Sequence, residues 1–201
     1  SLSGAGIASQ NSVGINPSAN YNSSSTMGFS ANRWLVDISG SSFYYINNGY
    51  YFNFYSFGVD DIEVRNEIPS DEPLDIIGSH FLSFGLSKSY KILKDFNFGF
   101  GAQFSYSQLF IDKFSTLTFD IGIQKLFSKN FQLAVVAKNL GSSDLDIPSN
   151  YAIGGSYFIL KSKTELLMDY KYSSHYKSGI SLGLIQSIKM LTFNLGYSKF
   201  S

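Results

Sequence analysis

The chain of 201 residues lacks cysteine, carries little charge and contains no long apolar run. Without cysteine, disulfides and thiolate metal sites are excluded. Charged residues make up 15% of the sequence, whereas typical soluble domains have about 25%. Because fifteen basic and fifteen acidic residues cancel, no excess of positive charge favours nucleic acid as a partner. No run of about 18 apolar residues occurs, which argues against a transmembrane helix.

Aromatic residues are abundant instead. They make up 17% of the chain, with nineteen Phe and fourteen Tyr beside eighteen Gly. A soluble protein so aromatic and so poor in charge would expose apolar patches and associate. A protein surrounded by lipid avoids this problem, so the composition favours a membrane protein. The first residues lack the basic and apolar regions of a signal peptide, so if the protein is exported we expect this to be a mature or trimmed chain.

The dominant pattern is alternation with period two, clearest in residues 96–106. One parity holds Phe96, Phe98, Phe100, Ala102, Phe104 and Tyr106, and the other holds Asn97, Gly99, Gly101, Gln103 and Ser105. Successive side chains of a strand point to opposite faces, so this pattern predicts a strand with one aromatic face and one small polar face. Similar segments are 24–31, 33–45, 49–58, 79–90, 117–124, 131–138, 149–160, 165–172, 177–187 and 191–198. With residues 3–8 as a possible extra strand, we expect about twelve strands, within a range of twelve to fourteen.

The predicted connections differ in length at the two ends of the strands. Short turns rich in Lys, Asn and Ser are expected at 93–94, 128–130, 161–163 and 187–189, and longer loops at 59–78 and 140–149. Short turns at one end and longer loops at the other are typical of transmembrane β-barrels. The sequence therefore predicts an all-β fold: one closed, antiparallel, up-and-down transmembrane barrel spanning residues 1–201. Residues 1–22 form a short glycine-rich segment that could lie in the lumen.

A soluble β-sandwich or lipocalin-like barrel is the alternative, with the aromatic parity inside. The polar parity, however, is short of the Lys and Glu that usually solvate an outer face, and rows of Phe suit lipid better than a packed core. We therefore favour the membrane barrel. Its expected lipid-facing residues are Phe96, Phe98, Phe100, Phe104, Phe119, Ile121 and Phe193.

The opposite parity supplies the expected lumen-lining residues. They are Asp37, Asn53, Gln103, Asp120, Gln124, Lys138, Glu165, Asp169, Lys171 and Asn194. They could line a pore, or they could form a hydrogen-bonded network that rigidifies a narrow barrel, which we favour. Strand glycines could mark a lateral gate in the wall, but relief of crowding on a curved inner face is favoured.

Catalytic chemistry has little support in the sequence. His80 and His175 have no neighbouring nucleophile pattern, and no metal-binding or phosphate-binding motif occurs. Seven acidic residues cluster between Asp60 and Asp75. They could bind a divalent cation or a partner, but a solvated acidic loop is favoured because calcium-loop spacing is lacking. We expect no enzymatic activity, no cofactor and no metal.

Several segments, in order along nearly the whole chain, resemble FadL-like outer-membrane proteins. Residues 4–8 and 15–19 resemble the N-terminal glycine-rich segment and its "NPA" turn, which makes Gly4, Gly6, Asn16 and Pro17 the expected plug-like residues. Residues 34–38 resemble a strand that contains Trp and Asp in the PorV/PorQ branch. Residues 119–122 with 136–141, and then 148–157, resemble two further patterns of that branch.

This resemblance implies a barrel in the outer membrane of a Gram-negative cell, usually with fourteen strands. PorV/PorQ relatives serve type IX secretion by shuttling or anchoring cargo at the cell surface. FadL passes hydrophobic molecules through a lateral opening in its wall. The expected function is therefore secretion or surface assembly, with membrane lipid and other envelope or secreted proteins as partners. The alternatives are a passive channel for small hydrophobic molecules and a purely structural membrane protein.

Overall fold

The computed structural model describes residues 5–9, 14–22, 25–34, 37–65, 71–141, 147–175, 178–188 and 191–200. Within them, one short 3-10 helix (Pro17–Asn22) precedes a single sheet of eleven strands. The strands are β1 (Thr26–Arg33), β2 (Ile38–Asn47), β3 (Tyr50–Val64), β4 (Asp75–Leu93), β5 (Phe96–Leu109), β6 (Asp112–Ser128), β7 (Phe131–Leu140), β8 (Asn150–Ile159), β9 (Thr164–Ser173), β10 (Gly179–Ile188) and β11 (Leu191–Phe200). Among the described residues, no helix is long and apolar enough to cross a membrane.

Every strand pairs antiparallel with its neighbour in sequence, so the sheet is an up-and-down meander. This confirms the all-β, antiparallel, up-and-down part of the predicted fold. β1 and β11 are its two edges; no ladder between them occurs within the described residues, so the sheet is not closed there. Because the strands alternate in direction and both edges have odd positions in the order, β1 and β11 run the same way.

Two predicted segments differ from the structure. Residues 5–8 form a turn, closed by a hydrogen bond from Ser9 N to Gly6 O (3.0 Å), instead of a strand. Half of the predicted loop 59–78 is strand, because β3 continues to Val64 and β4 begins at Asp75. A bulge after Val59 shifts the register, and the acidic residues then alternate with apolar ones, Ile62 pairing with Ile77.

The connections define two ends of the sheet. The turn end carries the tight connections between β2 and β3, β4 and β5, β6 and β7, β8 and β9, and β10 and β11. Its clearest turn is Asn48-Gly49, where both residues have positive φ (49° and 79°), as the two central residues of a type I′ hairpin require. The loop end carries the remaining connections. Two of them, residues 65–74 and 141–149, lie within the segments predicted as longer loops, 59–78 and 140–149.

The two faces of the sheet have opposite chemistry, as the period-two pattern predicts. The outer face carries rows of large apolar side chains; one row runs across six paired strands as Phe29, Phe43, Phe54, Phe84, Phe104 and Leu117. The inner face carries small and polar residues and contacts the N-terminal segment, by which we mean residues 5–9 and 14–22. Most buried side chains among the described residues are accordingly Ser, Thr, Asn, Gln or Ala.

Candidate functional site

The N-terminal segment is fixed to the inner face by one buried carboxylate. Asp169 on β9 is fully buried, and its Oδ2 accepts hydrogen bonds from the backbone N–H groups of Gly6 (2.6 Å) and Ile7 (3.0 Å). Hydrogen bonds to an ionised acceptor are the stronger kind, and two of them converge here on one oxygen. Asp169 therefore anchors the start of the segment.

A second anchor is the carbonyl oxygen of Ala8. It accepts hydrogen bonds from the side chains of Gln124 (3.0 Å), Gln132 and Ser156 (3.3 Å). These donors stand side by side on β6, β7 and β8, because Gln132 pairs directly with Ser156 and the adjacent row pairs Gln124 with Ala134. Three neighbouring strands thus bind one backbone atom.

Asn16 folds the segment back on itself. Its Nδ2 donates to Ile7 O (3.0 Å), and its Oδ1 accepts from the backbone N–H (3.1 Å) and the hydroxyl (2.8 Å) of Ser18. An amide is suited to this position because it offers donors and an acceptor on one side chain. Asn16 is fully buried, so all of these bonds are shielded from water.

The 3-10 helix is hydrogen-bonded to β4, which lies far from β9 in the strand order but on the same inner face. Ser89 Oγ donates to Ser18 O (2.8 Å), and Asn20 Nδ2 donates to Ser87 Oγ (2.9 Å). With Asp169 on β9 at one end and β4 at the other, the segment bridges strands that are far apart in the sheet order. The sheet must therefore curve around the segment.

Glycines on the inner face make this close approach possible. An added Cβ at Gly99 would collide with the backbone of Pro17 and Ser18, and one at Gly122 would collide with Asn16. At Gly154 it would collide with the Asp169 carboxyl group. These strand glycines therefore give room to the N-terminal segment and its anchor, which agrees with the interpretation that they relieve crowding.

The expected lumen-lining residues fall mostly on this inner face. Asn53, Gln103, Asp120, Gln124, Lys138, Glu165, Asp169 and Lys171 share it with the N-terminal segment. Asp120 and Lys138 form an ion pair (3.7 Å), Lys138 Nζ donates to Gly14 O (3.3 Å), and Ser9 Oγ donates to Glu165 (3.1 Å). These contacts pair polar groups of the inner face with one another and with the N-terminal segment.

Two of the expected lumen residues lie elsewhere. Asp37 is in the connection between β1 and β2, has a positive φ of 52° and pairs with Arg33 at 3.2 Å. Its left-handed backbone takes it out of the strand alternation on which its prediction rested. Asn194 has the inner parity of β11 but is exposed, because neither face of that edge strand is covered.

The expected plug-like and lipid-facing residues separate onto opposite faces. Gly6, Asn16 and Pro17 belong to the N-terminal segment, whereas Gly4 lies outside the described residues. The expected lipid-facing residues Phe96, Phe98, Phe100, Phe104, Phe119, Ile121 and Phe193 all have the parity of the outer face. Phe96 and Phe98 are half-buried by neighbours there, and the other five are exposed.

Two adjoining cavities lie on the loop-end side of the N-terminal segment. The first, of about 610 Å³, is mainly apolar and lined by residues that include Ile7, Ile15, Val136, Ala152 and Phe200. The second, of about 310 Å³, is mainly polar and includes Tyr51, Asn53, Gln103 and Asp120. Lys138 and Asn150 line both cavities, so the two are neighbours. The sequence did not point to this division.

At the loop end, four adjacent strands are longer than the others. β3, β4, β5 and β6 have 14 to 19 residues, whereas the other strands have 8 to 10. Residues 60–64 of β3 lie beyond its last pairing with β2, and residues 112–118 of β6 lie beyond its last pairing with β7. These four strands therefore extend past the rest of the sheet.

The tip of this projection is apolar and exposed. β5 and β6 are joined by the two residues Phe110 and Ile111, with Phe110 at a φ of 57° and Ile111 87% exposed. Tight hairpin turns favour Asn and Gly, and a bulky residue at positive φ is unfavourable. Leu74 and Ile76 are also exposed; they lie at the start of β4, in the projecting hairpin of β3 and β4. We call Leu74, Ile76, Leu109, Phe110 and Ile111 the apolar tip.

The histidines and the acidic cluster do not assemble a reactive centre in the described residues. His80 lies 3.5 Å from Asp60 with both side chains exposed, and His175 contacts Ser174 (2.9 Å) after β9. No group of three or more possible metal ligands comes together in the part of the chain that the structure describes. Glu67 of the acidic cluster lies outside that part.

Comparison with known proteins adds no family assignment. No protein-family model matches the chain, and no curated protein sequence matches it. A function must therefore be inferred from the geometry of the sheet, the N-terminal segment and the apolar tip.

Proposed function

We propose that this chain is an outer-membrane β-barrel protein that acts in secretion or surface assembly, in the manner of PorV/PorQ-like proteins. Its loop end would bind envelope or secreted partner proteins. The observation that carries the proposal is the apolar tip, in which a tight turn uses Phe110 and Ile111 despite the backbone cost. An unfavourable turn that exposes two large apolar side chains is more simply explained by binding than by folding.

The membrane part of the proposal is supported by the outer face. Its rows of Phe, Leu and Ile are exposed in the isolated chain, as Phe104 (46%) and Ile121 (39%) illustrate. Contact of these apolar side chains with water is unfavourable, whereas contact with lipid hydrocarbon carries no such free-energy cost. The seven strands of 8 to 10 residues have about the length of a tilted transmembrane strand, which needs roughly 9–11 residues. The extra residues of β3–β6 would then stand outside the bilayer.

A membrane location would also require a closed wall. Unpaired backbone groups of β1 and β11 would be costly in hydrocarbon. In the membrane we expect β1 to pair either with β11, in parallel, or with an intervening strand that keeps the antiparallel order.

The partner-binding role also agrees with the filled interior. The N-terminal segment lies across the inner face and is held by buried hydrogen bonds from β4, β6, β7, β8 and β9. Such a segment would obstruct free passage through a barrel of this size. A protein with an obstructed lumen would act through its surface.

The test replaces the apolar tip without disturbing the fold. The double substitution Phe110→Gly and Ile111→Asn puts glycine at the one turn position with positive φ, so the sheet should be at least as stable. In cells lacking the native gene, we expect the variant to insert normally but to leave surface-attached or secreted proteins in the periplasm, measured by mass spectrometry of each fraction. Normal secretion by this variant would refute the partner-binding role.

The matched control changes the opposite end of the sheet. Lys129→Ala lies in the turn between β6 and β7 and shortens an exposed side chain there. We expect this variant to secrete as the parent does. If both variants fail alike, the defect lies in assembly of the protein and not in the tip.

A channel for small hydrophobic molecules is the second candidate, favoured by the apolar cavity of about 610 Å³. Pockets of roughly 300–1,000 Å³ hold small-molecule ligands. If the chain is a channel, deleting residues 1–22 should increase the uptake of an apolar dye into vesicles that carry it. Unchanged uptake would count against this candidate.

A further inference from the structure

The two cavities beside the N-terminal segment differ in chemistry but adjoin each other. The apolar one is lined by Ile7, Ile15 and Val136, and the polar one by Asn53, Gln103 and Tyr51. Lys138 and Asn150 line both cavities, so an apolar space and a hydrogen-bonding space lie side by side. We propose that the two cavities together bind an amphipathic molecule with a neutral, hydroxyl-rich head and an apolar tail.

The polar cavity is built from aligned rows of the inner face. Asn53, Gly85 and Gln103 are paired in one row across β3, β4 and β5, and Tyr51 stands in the next row, paired with Ser87. The amide nitrogen of Gln103 donates to Ser83 Oγ (2.7 Å), which fixes the side chain and orients its amide. Fixed amides and phenol hydroxyls are suited to the alternating donors and acceptors of hydroxyl groups.

Acidic groups stand near both lysines that line the cavities. Lys138 lies 3.7 Å from Asp120, and Lys171 shares the inner face of β9 with Asp169. A ligand with an anionic head would have to approach these acids. A neutral head meets no such repulsion, so the nearby acids favour hydroxyl groups over a carboxylate.

The apolar cavity would take the tail. Val136 and Ala152 face each other across β7 and β8 in one inner row, and Ile7 and Ile15 of the N-terminal segment close the same space. At about 610 Å³ it is about twice the size of the polar cavity and has the volume of a small-molecule pocket. Burial of the tail would supply most of the affinity, and the polar end would supply the selectivity.

This inference is independent of the apolar tip and of passage through the wall, since it requires only the inner face and the N-terminal segment. Loss of secretion in the tip variant and loss of ligand binding can therefore occur separately.

The test measures ligand binding directly. The full chain in lipid nanodiscs, prepared without glycoside detergents, is titrated with octyl glucoside below its micellar concentration. Octanoate has a similar tail with an anionic head, and glucose is the head alone.

We expect octyl glucoside to bind at least about tenfold more tightly than octanoate, which corresponds to about one good hydrogen bond. It should also bind more tightly than glucose, which lacks the apolar tail. Gln103→Leu should remove the preference for the glucoside over octanoate, and Ala152→Trp should abolish binding of both by filling the apolar cavity. Asn194→Ala, an inner-face change outside both cavities, should bind as the parent does.

Three results would overturn the proposal. In the first, octanoate binds as tightly as octyl glucoside. In the second, glucose alone binds as tightly as octyl glucoside. In the third, octyl glucoside shows no saturable binding. Equal binding by the parent and Ala152→Trp, with both folded, would also overturn it, because the ligand would then lie elsewhere.

Discussion

The anchoring of the N-terminal segment by Asp169 leads to a quantitative prediction. Asp169→Ala removes the acceptor of two buried backbone N–H groups, those of Gly6 and Ile7. A hydrogen bond to a charged group contributes about 1.5–3 kcal/mol, so the two give roughly 3–6 kcal/mol as a ceiling. The bonds share one oxygen and the variant also removes a buried charge, so we expect a loss of about 2–4 kcal/mol in docking of the segment.

This loss can be measured as exposure of a buried thiol. The chain has no cysteine, so Ser9→Cys introduces a single probe at a position that is 2% exposed. If labelling by a maleimide proceeds through undocking of the segment, a loss of about 2–4 kcal/mol raises the labelling rate by roughly 30- to 1,000-fold. The strands need not unfold, because Asp169 contacts the segment and not the strand ladder.

Two further variants decide whether the effect belongs to the anchor. Asp169→Asn keeps an acceptor oxygen but loses its charge, so its labelling rate should lie between those of the parent and of Asp169→Ala. Asn194→Ala changes an exposed polar residue of the same face and should leave the rate unchanged. A parent-like labelling rate in Asp169→Ala would refute the anchoring role.

Three other substitutions test the packing, the outer face and the turn end. Gly122→Val should weaken docking of the N-terminal segment by about 1–3 kcal/mol, because the new side chain would collide with Asn16. A labelling rate of the Ser9→Cys probe equal to that in the parent would contradict this. Phe100→Lys should cost about 2–4 kcal/mol in the free energy of unfolding from lipid vesicles if the outer face lies in the bilayer, whereas a loss below about 0.5 kcal/mol would indicate a water-exposed position. Gly49→Ala should cost about 1 kcal/mol, because its φ of 79° favours glycine, and a neutral effect on the denaturant midpoint would show that the turn rearranges.

The strands and their faces could be predicted because one signal repeats along the chain. In β5 and β6 the alternation of Phe and Ile with Gly, Asn and Gln fixes which side chains share a face, and the register follows from short turns such as Asn48-Gly49. The predicted loop at 59–78 was wrong at both of its ends. At the first end its acidic residues conceal the alternation of Val59, Ile62 and Val64, which resumes after a bulge.

The contacts of the N-terminal segment could be predicted only in outline. Gly6, Asn16 and Pro17 were placed in a plug-like segment from a resemblance, but the partner of Gly6 is Asp169 on β9, 163 residues away. No local pattern specifies that Gln132 and Ser156 converge on the Ala8 carbonyl. Phe110 and Ile111 were not predicted as functional residues, although an apolar pair between two alternating strands is a visible signal.

The most direct test concerns which face of the sheet meets lipid. Single cysteines at the outer positions Phe100 and Ile121 and at the inner positions Gln103 and Thr118 can carry nitroxide labels, since the chain has no other thiol. In vesicles we expect the labels at 100 and 121 to collide with oxygen dissolved in the lipid, and those at 103 and 118 to be shielded from it. Labels at 103 and 118 that meet lipid oxygen, with those at 100 and 121 in water or in a dry interior, would contradict the account.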